Sequence, residues 1–152
     1  MADNYMTALS LIERLHRHFL EVVKLELDAL GIHDINNVQA LMLVNIGEAE
    51  MAVGDLMQRG CYLGSNVSYT VKKMVENGYI SHERSFHDRR SIYVRLTDKG
   101  MRLRERLMRM YQRHVGTLTK TLISMEDLRA AIETLRGLEH FLGHVAPEQS
   151  GV

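Results

Sequence analysis

Cys61 is the only cysteine in the chain, so no internal disulfide can form, and the usage fits a reducing compartment. No apolar run reaches the roughly 20 residues that cross a bilayer, and the first residues lack the charged, apolar, small order of a secretory leader. The expected location is therefore the cytoplasm, with no membrane among the partners. Internal repeats and low-complexity tracts are missing too. So are a glycine-rich phosphate loop, a nucleophile elbow and paired carboxylates, and neither an enzyme nor a cofactor is expected. Net charge is also absent, because 19 Lys and Arg balance 19 Asp and Glu.

What is present is a folded composition with charge sorted along the chain. With 152 residues, 45% hydrophobic and 25% charged, the chain can bury a core as one domain, and wholesale disorder is excluded. Up to Glu50 the only basic residues are Arg14, Arg17 and Lys24, against Asp3, Glu13, Glu21, Glu26, Asp28, Asp34, Glu48 and Glu50. From Arg59 to Arg113 the balance reverses, through Lys72, Lys73, Arg84, Arg89, Arg90, Arg95 and the series Arg102, Arg104, Arg106, Arg109. A neutral mean with such an asymmetry suits one face on nucleic acid and another doing something else.

The stretch Ser65 to Gly100 organises the rest. On a helix, Val67, Val71 and Met74 fall on one side at the spacing that buries a face. Ser65, Tyr69 and Lys72 then point the other way, flanked by Asn66, Ser68 and Lys73. That outward face holds hydroxyls, an amide and two lysines, groups that bond base edges and phosphates. Asn77-Gly78 ends the helix. Tyr79 to Arg84 and Ser91 to Leu96 read as strands, the second with Ile92, Val94 and Leu96 on one side and Tyr93 and Arg95 on the other. Between them lies a polar tip, residues 85–90, with two adjacent arginines. Thr97-Asp98 opens a new helix with a hydroxyl cap and an acid at the positive dipole end. Helix, glycine, strand, basic tip, strand and capped helix is the order of a winged helix-turn-helix.

Residues 78–100, GYISHERSFHDRRSIYVRLTDKG, resemble the wing signature of the MarR family of bacterial transcription regulators. The likeness includes Asp-x-Arg at Asp88 and Arg90, Leu-Thr at 96–97 and Lys-Gly at 99–100, and helix order extends it to nearly the whole chain. It implies a mainly α fold with a small β-hairpin wing, as a single domain over 1–152. The DNA-binding lobe is expected at about 36–97, and dimerisation helices at about 5–30 and 98–145. It also implies a homodimer on double-stranded DNA at a pseudo-palindromic site, acting as a repressor released by a small ligand. The rival reading is a winged-helix dimer that binds another protein, against which the basic tip and the acid-free residues 65–73 weigh.

The remaining helices follow from periodicity and punctuation. Met1 to Leu30 carries Leu9, Ile12, Leu15, Phe19, Val22, Leu27 and Leu30 in line, with Gly31 as the stop. Asn36 to Ile46 opens on a capping-box pair, Asn36 and Gln39, with Val38, Leu41 and Met42 expected inward and Gly47 at the end. Ala52 to Arg59 is a short third helix closed by Gly60. Thr97 to about Leu122 and Met125 to Val145 complete the set, with Pro147 as the last stop. The terminal helices hold more apolar positions than a small DNA-reading lobe can cover, which points to an interface.

Several residues are singled out for chemistry. Lys72 and Lys73 are expected on phosphates, and Asn66 and Tyr69 on base edges. The resemblance assigns Arg90 to the minor groove with Asp88 as its orienting partner and Arg89 beside it, in keeping with the negative potential of a narrow groove. By the same resemblance a ligand crevice has His16, Phe19, Tyr111 and His114 as candidate walls. Cys61 is either a small packing residue or an oxidant sensor. His140 and His144 have the i, i+4 spacing of metal ligands, but no Cys or carboxylate pattern completes a set, so no metal is expected.

Overall fold

Regular apolar steps, with no glycine or proline to interrupt them, carry the chain from its start into a 28-residue helix, α1 (Ala2–Ala29). The computed structural model describes residues 1–60, 64–84 and 92–148, without the side chains of 64–66 and 146–148. Gly31, at φ 69°, turns the chain out of α1. It leads to α2 (Asn37–Ile46), where the expected capping box is complete. Gln39 N–H donates to Asn36 Oδ1 at 2.8 Å, and Asn36 N–H donates to Gln39 Oε1 at 2.9 Å. The inward face of α2 differs from the expected one: Ala40, Met42, Leu43 and Ile46 are buried, while Val38 is exposed and Leu41 half-buried. A helix that is apolar nearly all round has no periodicity by which its buried side can be read.

Past Gly47 comes an element the sequence reading did not contain, the two-residue strand β1 (Met51–Ala52). It leads directly into α3 (Val53–Arg59) and then α4 (Gly64–Glu76). The wing strands are β2 (Ile80–Arg84) and β3 (Ile92–Leu96). The sheet is antiparallel in the order β1-β3-β2. Met51 faces Val94 across one edge of β3, and Ile80 faces Leu96 and Arg84 faces Ile92 across the other. The hairpin is therefore anchored to the body by a third strand. Val94 and Leu96 are buried, whereas Ile92 is exposed toward the tip.

Thr97 caps α5 (Asp98–Leu118) as its hydroxyl accepts from Gly100 N–H at 3.2 Å. The last helix, α6 (Met125–Glu148), runs past Pro147, where the sequence reading ended it. A proline in a final turn withholds one N–H from the helix without stopping the turn before it. α6 opens on a second reciprocal cap, with Asp127 N–H donating to Ser124 Oγ at 3.1 Å and Ser124 N–H donating to Asp127 Oδ2 at 2.7 Å.

The chain divides into two compact units, Met1–Met110 and Tyr111–Val152. The core of the first is built from Val23 and Leu27 of α1, Leu43 and Ile46 of α2, Leu56 of α3, Val67 and Met74 of α4, Val94 of β3, and Leu103 and Leu107 of α5. Each such side chain contributes roughly 1.5–3 kcal/mol by leaving water. The second unit comprises the end of α5 and α6, and Leu128, Ile132, Leu135, Phe141 and Leu142 are exposed on it. No described helix is long and apolar enough to cross a membrane.

Candidate nucleic-acid interface

The α4 helix is positioned by its apolar stripe. Val67, Val71 and Met74 are buried as their i, i+4, i+7 spacing requires, so the opposite side must face out. Ser68, Lys72 and Lys73 are exposed, and Tyr69 stands 68% exposed, an unusual state for a large aromatic ring on a folded surface. Ser65 and Asn66 lie in the first turn of the same helix; their side chains are outside the described residues. No acid precedes Glu76 in α4.

The helix ends with Asn77 N–H donating to Lys73 O, Gly78 N–H to Val75 O and Tyr79 N–H to Met74 O, each at 3.0 Å. Gly78 supplies the positive φ, 79°, that this closure needs. The chain then enters β2 with no slack, so the wing hairpin is indexed to the end of α4. On the hairpin strands, exposed His82 and Arg84 share one face, while Arg95 lies on the other, 3.7 Å from Glu50. Asp88, Arg89 and Arg90, in the tip, lie outside the described residues, as does Cys61 before α4.

Beside α4 lies a mostly apolar groove of about 390 Å³, lined by Val53, Val71, Val75 and Ile92 together with Ser68, Lys72, Glu76 and His82. The candidate ligand residues are distributed over both units. His16 is exposed and Phe19 half-buried in the first, while Tyr111 is half-buried and His114 exposed in the second. Burial pushes the Tyr111 hydroxyl above its usual range, so it remains a neutral donor. The His140 and His144 rings lie 4.2 Å apart between centres, tilted by 51°, and His144 Nδ1 lies 2.8 Å from His140 O. Among the described residues no group of three His, Cys, Asp or Glu is placed to hold a metal ion.

One cluster of polar side chains was not anticipated from the sequence. The Asp34 carboxylate, in the turn between α1 and α2, accepts from Tyr79 OH at 2.5 Å and from Lys99 Nζ at 2.8 Å. Asn77 Nδ2 donates to Asp34 O at 2.7 Å, and Lys99 Nζ donates a second bond to Asn77 O at 2.9 Å. Burial works to raise the Asp34 pKa, but the bonds from Lys99 and Tyr79 outweigh it and hold the carboxyl below its ordinary 3.8. Burial, then the adjacent carboxylate, drive the Tyr79 hydroxyl far above its usual value. The Lys-Gly pair at 99–100 drew notice only as part of a signature. Its partner is 65 positions away, a separation that no local pattern reveals.

The comparisons with known proteins agree with this architecture. The model of the winged helix DNA-binding domain family matches residues 35–100. The exopolysaccharide II synthesis transcriptional activator ExpG of Rhizobium meliloti (strain 1021) is 37% identical over 142 residues, covering 93% of this chain and 73% of ExpG. Among solved structures, AbsC, a MarR family transcriptional regulator from Streptomyces coelicolor, superposes with a TM-score of 0.74 at 21% identity, over 94% of this chain and 97% of AbsC. Streptococcus pneumoniae FabT, solved in complex with DNA, gives 0.73 at 20% identity, over 93% of this chain and 99% of FabT.

Proposed function

The chain belongs to the MarR family of winged helix-turn-helix transcriptional regulators, and from that premise we propose how it reads DNA. α4 enters the major groove, with Asn66 and Tyr69 on base edges, Ser65 and Ser68 beside them, and Lys72 and Lys73 on phosphates. Arg90, oriented by Asp88 and accompanied by Arg89, enters the adjacent minor groove. One observation carries this reading: the outward side of α4 holds hydroxyls, lysines and one exposed aromatic ring, with no acid before Glu76 in its last turn, and is set on a buried stripe. A surface serving only solubility would mix both signs of charge.

The site is read by a homodimer. Exposed Leu128, Ile132 and Leu135 on α6, with Met6, Leu11 and Leu15 on α1, supply apolar surface that a single chain leaves in water. Two α4 helices then meet half-sites about one helical turn apart. The dimer acts in the compartment that holds the DNA, the bacterial cytoplasm, as a repressor whose release follows binding of a small molecule near His16, Phe19, Tyr111 or His114. A second reading, activation, is favoured by the name of the 37% identical relative, a transcriptional activator. The sign depends on whether the bound dimer covers the promoter or lies upstream of it.

Titration of the protein against its own upstream region and against scrambled DNA, at several salt concentrations, tests the reading. Specific binding with a steep salt dependence is expected. Lys72→Ala should flatten the log–log salt slope by about one unit on every sequence. Tyr69→Ala should cost roughly 1–3 kcal/mol on the specific site and far less on scrambled DNA. Equal affinity for both DNAs would leave the protein-binding alternative in its place. A reporter downstream of the bound region, with and without the regulator, decides the sign.

A further inference from the structure

We propose that Asp34 is a positioning residue for DNA reading: its carboxylate ties the start of β2 and the first turn of α5, and its main-chain oxygen the residue after α4, to the turn that leaves α1. The inference rests on α4 being the DNA-reading helix. Three elements converge on this one residue. Asn77, just past α4, holds its main-chain oxygen; Tyr79, at the mouth of β2, holds one carboxylate oxygen; Lys99, in α5, holds the other. Lys99 closes the ring, since its Nζ also donates to Asn77 O and lies 4.3 Å from the centre of the Tyr79 ring. A cation on that carbonyl sits at the negative end of the α4 dipole.

The surrounding backbone leaves this ring no slack. Thr97 N–H donates to Tyr79 O at 3.0 Å, and Thr97 Oγ1 donates to Gly78 O at 2.6 Å. α5 approaches so closely that a Cβ at Gly100 would lie 3.2 Å from the Tyr79 carbonyl carbon and closer still to its oxygen. Lys99 therefore cannot drift relative to Tyr79, and the position of Asp34 fixes both against the α1–α2 turn.

Geometry, more than energy, makes the ring matter. The Asp34 and Lys99 side chains are 45% and 44% exposed, so their attraction is screened and contributes little to global stability. Base reading tolerates displacements of only about 0.5 Å. At 1.5 Å per residue, Tyr69 stands about 12 Å along the helix from Asn77, so a tilt of about 5° about that end moves it about 1 Å. Lys73, on the same side of α4 as Asn77, borders an open cleft with Asp34 itself. Loosening the ring should thus misplace the reading residues without unfolding the lobe.

The test compares the parent with Asp34→Asn, Tyr79→Phe and the double variant, by titration against the specific upstream fragment and scrambled DNA at several salts. Melting temperature and hydrogen exchange of amides 76–79 are followed alongside. For Asp34→Asn we expect about tenfold weaker specific binding, the scale of one misplaced base contact. Scrambled DNA should bind nearly as before, with an unchanged salt slope because no phosphate contact is lost. Tyr79→Phe should act in the same direction, the double variant should lose less than the sum, and the amides should exchange faster with little change in melting temperature. Asp34→Asn binding the specific fragment as tightly as the parent overturns the proposal. So does an equal loss on both DNAs with a changed slope, which would make Asp34 an electrostatic bystander. A parent that prefers no DNA sequence defeats the reading of α4 itself, a result separable from any effect of Asp34.

Discussion

Among the described glycines, Gly100 carries the strictest steric requirement. Its small size is needed at an ordinary φ, because the Tyr79 main chain occupies the space a side chain would take. The obstacle is backbone already bonded to Thr97 N–H, so it cannot move aside. Gly100→Ala should therefore cost about 2–4 kcal/mol, as overpacking does where nothing yields, measurable as a lower denaturant midpoint. Asp34 makes a second prediction at this scale. Its pKa in the folded state lies below the ordinary 3.8, so its contribution is present above that value and is lost as pH falls through the folded pKa. Stability of the parent should decline more steeply below about pH 4 than that of Asp34→Asn. Parallel acid limbs for the two proteins would remove the linkage.

Among the elements, those with a period or a punctuation mark were legible in advance. Val67, Val71 and Met74 announced the buried side of α4, Gly78 its end, Thr97 the start of α5, and Asn36 with Gln39 the start of α2. Each is a local rule enforced by backbone geometry. β1 was not legible, because two residues show no alternation and their pairing with Val94 and Tyr93 is decided 43 and 41 positions later. Of the buried face of α2 only Met42 was read correctly, for the opposite reason, too many apolar residues to choose between. Of the candidate interface, the exposed states of Ser68, Tyr69, Lys72 and Lys73 followed from the stripe beneath them. The ring around Asp34 did not, since it joins residues that only the folded topology brings together. The reciprocal bonds of the α2 cap carry a prediction of their own: Asn36→Ala should cost about 1 kcal/mol, and Asn36→Gly only a few tenths, as read by chemical denaturation. Equal losses would place the stabilisation elsewhere than in the side-chain cap.

For the whole molecule, the proposed dimerisation would decide affinity. If exposed Ile132 and Leu135 meet a second copy, Leu135→Glu should give a monomer by light scattering. Binding to a two-half-site fragment should then weaken by about 100-fold or more, since the second contact loses its high effective concentration. A dimeric Leu135→Glu would move the interface to another surface. The sequence distance across the Asp34 ring has a kinetic consequence as well. Asp34 and Lys99 stand 65 positions apart, so their bond can form only after a long loop has closed. We expect such a contact to form after the folding barrier, in which case its removal acts on the unfolding rate and leaves refolding nearly unchanged. In Asp34→Asn the refolding limb of a chevron should overlay that of the parent, and the unfolding limb should rise only slightly, because the screened pair contributes little to global stability. The bond that would set the register of the reading helix thus leaves the lifetime of the folded lobe almost untouched.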